Sequence, residues 1–263
     1  MSSWAVKRQV TYISVVVGVL IVVSALPVYY IFIKKTPTCY DNILNQNETG
    51  IDCGGVCNKV CPNDIKNVPS AVWSRAFKVT DGVYNLVAYI QNPNINYVSE
   101  PISYSFKVYD VNNVLIATRE GQTSIPPNKS FPIFEAAVNV GQRVPAQVFF
   151  EFGDGSPSTF NGLWHRFTDQ PVQFEVNDTV LLDASTSPRL SSSIRNDSIQ
   201  DFSNIEVVAV IYDMDGNAMA ASQTIVDSLA RNSSQPVIFT WPKGFSSAVS
   251  KIEIVPRFPF TIH

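Results

Sequence analysis

Between Val10 and Ile33 the chain runs for 24 residues without a charged side chain. At about 1.5 Å of rise per residue, a helix of that length crosses a hydrocarbon layer of roughly 30 Å with some tilt. A soluble helix of this length normally shows a polar face, and this run has none. The segment therefore predicts one transmembrane helix over residues 10–33, behind a short tail of residues 1–9. Pro27 breaks the run late, which membrane helices tolerate. Tyr12, Tyr29 and Tyr30 are rings suited to a membrane interface.

Flanking charge does not orient the helix. Lys7 and Arg8 precede it, Lys34 and Lys35 follow it, and the positive-inside rule needs an imbalance. The cysteines are more informative. All four, Cys39, Cys53, Cys57 and Cys61, lie directly after the apolar run, and disulfides persist in oxidising compartments. The expectation is a single-pass protein of the cell membrane with its N-terminus cytoplasmic and its body outside. The rival reading is a cleaved signal peptide with Val23-Ser24-Ala25 as the cleavage site. A signal peptide should turn polar there, yet the run stays apolar from Val28 to Ile33.

The segment from Cys39 to Cys61 has few apolar residues and cannot fold by burial alone. Cross-links would stabilise it by about 2–4 kcal/mol each, mainly by restricting the unfolded chain. Four cysteines allow three pairings, and spacing does not choose among them. Asp41, Asn45, Glu48 and Asp52 supply the hard oxygen ligands that calcium prefers, with glycines between them for tight turns. The same side chains also suit solvated turns in which Asx oxygens cap backbone N–H groups. The spacing is not that of an EF-hand loop. A four-cysteine zinc site fits Cys-x3-Cys-x3-Cys poorly. Cys39, Asp41, Asn42, Asn45, Glu48, Thr49, Gly50, Asp52, Cys53, Gly54, Gly55, Cys57 and Cys61 together resemble a short cysteine module of exported bacterial proteins. Its pattern is C-x-D-G/N…E-T-G-x-D-C-G-G-x-C, here with a slightly looser final spacing. The module stands beside many different domains, so the resemblance implies location and not activity.

After a polar linker the chain changes to short runs rich in Val, Ile, Phe and Tyr, the composition of strands. Strands are expected at Phe77–Val79, Tyr84–Gln91, Ile102–Tyr109, Val114–Glu120, Phe131–Val138 and Ala146–Phe152. Asp81-Gly82, Asn112-Asn113 and Pro126-Pro127-Asn128 are turn signals between them. A second set is expected at Val172–Val176, Thr179–Ala184, Ile205–Tyr212, Ala218–Thr224, Val237–Trp241 and Val249–Val255. The polar, Ser-rich stretch Ser185–Asp201 reads as a long exposed loop. In Ser103–Tyr109, Tyr104, Phe106 and Val108 share one face, as in a half-buried antiparallel strand.

The two sets read as a diverged repeat. Phe106 to Asn113 and Val208 to Gly216 each end a strand in Tyr-Asp before a turn, about one hundred residues apart. Ile125 to Phe134 and Leu229 to Ile238 each run from an apolar residue through a polar turn into a strand. This predicts two similar all-β domains, residues 70–156 and 160–260. Tyr212, Asp213, Asp215, Gly216, Leu229, Asn232 and Ser233 resemble the marks of FxLYD-type domains, which are small immunoglobulin-like or fibronectin-like sandwiches. The first copy departs at Asn113 and Ile125. Anchor, cysteine module and paired β-domains together resemble membrane-anchored envelope proteins of candidate-phylum bacteria. A local likeness of Phe150 to Ser156 to PKD-type sandwiches is left incomplete by its surroundings.

A search for chemistry finds little. His165 is the one base available to a serine triad, in Trp164-His165-Arg166, with no nucleophile elbow anywhere in the chain; His263 is the last residue. No phosphate loop and no HExxH is present. Asp110, Asp213 and Asp215 sit at turns, where carboxylates cap backbone groups. Net charge is −3 and the basic residues are scattered, which argues against nucleic acid. Trp73 and Trp164 each read as opening a domain. The resulting expectation is a non-enzymatic envelope protein without a cofactor, calcium aside. Its expected partners are the lipid bilayer and other envelope proteins. The alternatives are a solute or glycan receptor with a pocket near Trp164 and His165, and a carboxylate-dependent hydrolase.

Overall fold

In the computed structural model of the protein the described residues are 3–30, 37–64, 67–127, 129–161, 163–167 and 174–258. The chain divides into two compact units, residues 1–57 and 58–263. In the first, helix α1 spans Ser3–Val28 with Pro27 inside its last turn. It starts before the uncharged run, so Lys7 and Arg8 belong to it. Residues 31–36, with the end of the expected span and Lys34 and Lys35, lie outside the described residues, as does His263. From Val6 to Ala25 the mean hydropathy is 1.8 and no part is buried. An apolar helix that no protein surface covers is suited to lipid. The protein is thus membrane-associated through one N-terminal helix and built mainly of β-sheet.

The second unit carries the strands. Its first half contains β1 (Ser70–Thr80), β2 (Val83–Gln91), β3 (Tyr97–Ser99), β4 (Ile102–Tyr109), β5 (Leu115–Thr123), β6 (Ser130–Asn139), β7 (Gln147–Phe152) and β8 (Trp164–Arg166). They form antiparallel sheets in the orders β1-β2-β6 and β5-β4-β7, with β3 and β8 as a separate pair. The second half contains β9 (Phe174–Leu182), β10 (Arg189–Asn196), β11 (Phe202–Tyr212), β12 (Ala218–Leu229), β13 (Ser234–Thr240) and β14 (Lys251–Arg257). Its sheets run β9-β10-β13 and β12-β11-β14. Among the described residues, the second half repeats the strand order of the first, with the pair β3 and β8 found in the first half alone.

Each half has its own core. Leu86, Ala88 and Ile90 of β2 meet Tyr104, Phe106 and Val108 of β4 in the first. Leu190 and Ile194 of β10 meet Val207, Ala209 and Ile211 of β11 in the second. Both cores draw on both of their sheets, as alternation along each strand requires. Phe106 is fully buried, and truncating such a ring to Ala costs about 3–5 kcal/mol.

The repeat extends to individual hydrogen bonds. Asp110 Oδ1 accepts from the backbone N–H groups of Asn112 and Val114, each at 2.9 Å. Asp213 Oδ1 accepts from those of Asp215 and Asn217 at 3.0 and 2.8 Å. The left-handed position of each turn is Asn113, φ 58°, in the first and Gly216, φ 77°, in the second. Buried Asn92 and Asn196 form a second matched pair. The amide of Asn92 donates to Pro126 O at 2.7 Å, and that of Asn196 to Leu229 O at 3.2 Å.

Three expectations are corrected. The stretch Ser185–Asp201 is not one exposed loop, because β10 runs through it as the central strand of its sheet. Leu190, Ser192, Ile194 and Asn196 are buried in strict alternation, but two of those four are polar, so the hydrophobic signal was weak. The strands expected at 172–176 and 179–184 are one strand, β9, kinked at Asp178, where φ is 54°; residues 172 and 173 lie outside the described residues. Trp164 does not open the second half. With Phe160 and Val60 it is buried in the first core, whereas Trp73 lies partly buried in β1. The two tryptophans therefore do not share a packing position.

Candidate functional site

The cysteine segment is held by local backbone capping. Its backbone enters the left-handed region at Asn42, Gln46, Asn47 and Asp52, with φ between 52° and 67°. Gly55, at φ +55°, has no room for a side chain, since a Cβ there would stand 2.0 Å from Asn47 O. Cys39 and Cys57 are joined by a disulfide. Cys53 and Cys61 are also disulfide-bonded, and no cysteine is free.

The four residues read as possible calcium ligands are largely occupied by the backbone. Asp52 accepts from the N–H groups of Asp41 and Asn42 at 3.0 and 2.9 Å. Asp41 accepts from those of Ile43 and Thr38 and from the Asn45 amide, at 2.9, 3.1 and 2.9 Å. Glu48, only 9% exposed, accepts from Asp52 N–H at 3.2 Å. Its other oxygen stands 3.1 Å from Cys57 Sγ, a disulfide sulfur with no hydrogen to donate. Asn45 Oδ1 is buried with no donor. Among the described residues, the cluster of three potential ligand atoms within 4.8 Å of one another is Cys39, Glu48 and Cys57. Two of its members are the disulfide sulfurs, which are spent as ligands. The geometry matches turn capping.

His165 lies on β8 opposite Val98, and its Nε2 is 2.7 Å from Glu100 Oε1. Trp164 beside it is 1% exposed; its indole packs the first core, with Nε1 buried and no hydrogen-bond partner among the described residues.

A polar assembly lies where the two halves of the second unit meet, a site the sequence did not single out. One outer face of sheet β1-β2-β6 carries Trp73, Phe77, Val87 and Phe134. It packs on Val208, Val210, Tyr212, Ala218 and Ala221 of sheet β12-β11-β14. Around this apolar patch, Glu253 accepts from the hydroxyls of Tyr89 at 2.7 Å and Tyr212 at 3.0 Å. Arg75 donates to Ala218 O at 2.8 Å and Asn217 Oδ1 at 3.2 Å. Arg257 bridges Glu206 at 2.6 Å and Thr123 at 2.5 Å. Burial pushes both phenols well above the ordinary tyrosine range, and the Glu253 carboxylate adds to the shift. An open groove of ≈ 480 Å³ runs along this edge, lined by Trp73, Tyr89, Gln91, Tyr212, Lys251 and Glu253 among others. The Trp73 and Tyr89 rings stack with centroids 5.5 Å apart. The only sequence signal for this site is the Val-rich outer face of β11, apolar on both sides where a solvated strand would alternate.

No protein-family model matches the chain, and no curated protein does. Among solved structures, it is similar to a β-glucuronidase of Bacteroides uniformis at TM-score 0.27 and 9% identity, over 68% of this chain and 25% of that one. A red sea bream transglutaminase gives TM-score 0.22 and 7% identity, over 73% and 30%. The chain thus spans about a quarter to a third of these proteins, and at these scores the likeness assigns neither fold nor activity.

Proposed function

We propose that the protein is a single-pass, non-enzymatic component of the cell envelope, with its N-terminus cytoplasmic. It presents two tandem immunoglobulin-like, FxLYD-like sandwiches for assembly or adhesion. The observation that carries this reading is the junction between the halves. A flexible pair of β-domains would leave both outer faces wet; here one face of each is buried against the other. Hydrogen bonds from Arg75 to Ala218, Tyr89 to Glu253 and Arg257 to Thr123 cross it and fix its register. Such a junction favours one stiff array, and stiffness lowers the ordering cost of a protein contact. The stapled segment beside the anchor suits display at a membrane.

The test is affinity purification of the intact protein from its native membrane after mild crosslinking. Recovery of a reproducible set of envelope proteins is expected. A second reading, a solute or glycan receptor, is favoured by the aromatic groove at Trp73 and Tyr89, since stacked rings beside carboxylate and ammonium groups can bind a polar ring. A small ligand copurifying in stoichiometric amount, with no protein partner, would decide for the receptor. Turnover of a glycan substrate, lost on one carboxylate substitution that spares folding, would overturn both.

A further inference from the structure

The Cys39–Cys57 bridge offers an attacker one sulfur. Cys57 is 1% exposed, whereas Cys39 is only half-buried. A disulfide opens when a thiolate attacks one sulfur and the other departs as a thiolate. An incoming thiolate therefore bonds to Cys39 Sγ, and Cys57 Sγ leaves. The departing sulfur faces a carboxylate. Glu48 Oε1 stands 3.1 Å from Cys57 Sγ, and an oxygen of Glu48 lies within 4.8 Å of both sulfurs. We propose that Glu48 is an electrostatic lock on this bridge: its charge makes Cys57 a poor leaving group and so shields the segment that follows the anchor from reduction by thiols.

Three observations support the lock. Glu48 is buried, so solvent screens its charge weakly. Its Oε2 accepts from Asp52 N–H at 3.2 Å, which holds the carboxylate in place with Oε1 turned to the sulfur. Among the described residues neither Lys nor Arg pairs with it, in contrast to Asp110 and Glu151, whose charges are matched by Arg143 and Lys107. The chemistry then runs against reduction. In the first step the attacking thiolate forms a mixed disulfide with Cys39, and Cys57 takes the electron pair of the broken bond. The new thiolate forms against the Glu48 carboxylate. A like charge that close raises the pKa of the departing thiol, and a thiol of higher pKa leaves more slowly. In the second step another thiolate releases Cys39 and carries the first away as a disulfide. The reductant has then lost two electrons, and the two cysteines have gained them together with two protons from solvent.

The experiment uses the oxidised full chain in detergent and dithiothreitol in mildly alkaline buffer. Alkylation and peptide mass spectrometry time the loss of each bridge. Glu48→Gln removes the charge and keeps an oxygen for Asp52 N–H. It should open Cys39–Cys57 about tenfold faster than the wild type and leave the rate at the bridge of Cys53 and Cys61 unchanged. Proteolysis of the oxidised segment between residues 39 and 57 should also stay at the wild-type rate. That readout separates charge from loosening. If Glu48→Gln speeds proteolysis and reduction by the same factor, Glu48 is a structural cap and the lock is overturned. Unchanged reduction overturns it too, and slower reduction would make Glu48 a proton donor to the departing sulfur. The wild type gives a test that needs no variant. Glutathione trapped after a single attack should sit on Cys39; a mixed disulfide on Cys57 overturns the proposal.

Discussion

The Tyr89 hydroxyl donates to Glu253 Oε1 across 2.7 Å, tying β2 of the first half to β14 of the second. Tyr212 donates to the other oxygen of the same carboxylate at 3.0 Å. Burial, with the carboxylate adding to it, holds both phenols protonated above their ordinary value of 10.0. A group whose folded pKa is raised contributes stability that is complete below the unfolded pKa and lost as pH climbs through the folded one. The junction should therefore weaken above about pH 10, the ordinary tyrosine pKa. Tyr89→Phe should cost about 1 kcal/mol at neutral pH, the net worth of one hydrogen bond. It should also flatten the alkaline decline. Urea unfolding at neutral pH and in alkali checks both; an unchanged alkaline slope would remove Tyr89 from the account.

At the other end of the scale, Asp110 is held below its ordinary value of 3.8. The backbone N–H of Val114 is the largest cause, with the Arg143 guanidinium and the Asn112 N–H adding to it against burial. Asp154 is lowered too, chiefly by the Thr159 hydroxyl. For a depressed carboxyl the stabilisation is present above the unfolded pKa and is lost as pH falls through the folded one. Stability should therefore drop as pH falls below about 3.8, and Asp110→Asn should make that drop shallower. Thermal melts across the acid range read this directly.

The matched turns allow a paired test. Gly216 sits at φ 77° and Asn113 at φ 58°, a region that costs an ordinary L-residue roughly 1–2 kcal/mol. Gly216→Ala should destabilise by about 1 kcal/mol, while Asn113→Gly should be nearly neutral, because Asn already tolerates the left-handed region. Equal costs at the two positions would break the equivalence of the turns.

Where side chains alternate in polarity, the fold was legible. Strand β4 was read at its exact bounds, Ile102–Tyr109, because Tyr104, Phe106 and Val108 all face one core. The Tyr-Asp turns were legible because the capping is local to five residues. Strand β10 was not, since Ser192 and Asn196 occupy buried positions through hydrogen bonds that only the fold supplies. Strands β3 and β8 were missed for a related reason: three residues carry no period, and their pairing spans more than sixty residues of chain. The junction was the least visible part. Tyr89 and Glu253 are 164 positions apart, and nothing local marks either as a partner. Of the cysteine segment, covalent linkage could be expected from composition, but the Cys39–Cys57 pairing could not.

That pairing gives a prediction about the oxidised state. Protein from its native membrane should lack four thiol protons, with one bridge mapped to Cys39 and Cys57 by unreduced peptide mass spectrometry. Cys39→Ser should lower the stability of the segment by about 2–4 kcal/mol, read as faster proteolysis between residues 39 and 57. Four free thiols would refute both the oxidised state and the exported orientation it supports.

Asp52 is the side chain on which the segment's turns converge. Its carboxylate takes the N–H groups of Asp41 and Asn42, and its own N–H goes to Glu48. Removing the carboxylate leaves two backbone donors uncapped, while the backbone bond to Glu48 survives. Asp52→Ala should therefore cost about 1–2 kcal/mol, the loss of one partly buried and one exposed hydrogen bond. Asp52→Asn should cost less, since its amide oxygen can still accept. The readout is the rate at which Cys39 and Cys57 become open to reduction and alkylation in the full chain. If capping is the role of Asp52, this rate should rise in the order wild type, Asn, Ala, and be the same in EDTA as in millimolar calcium. Strong calcium protection of the wild type, absent in both variants, would instead assign Asp41, Glu48 and Asp52 to a cation.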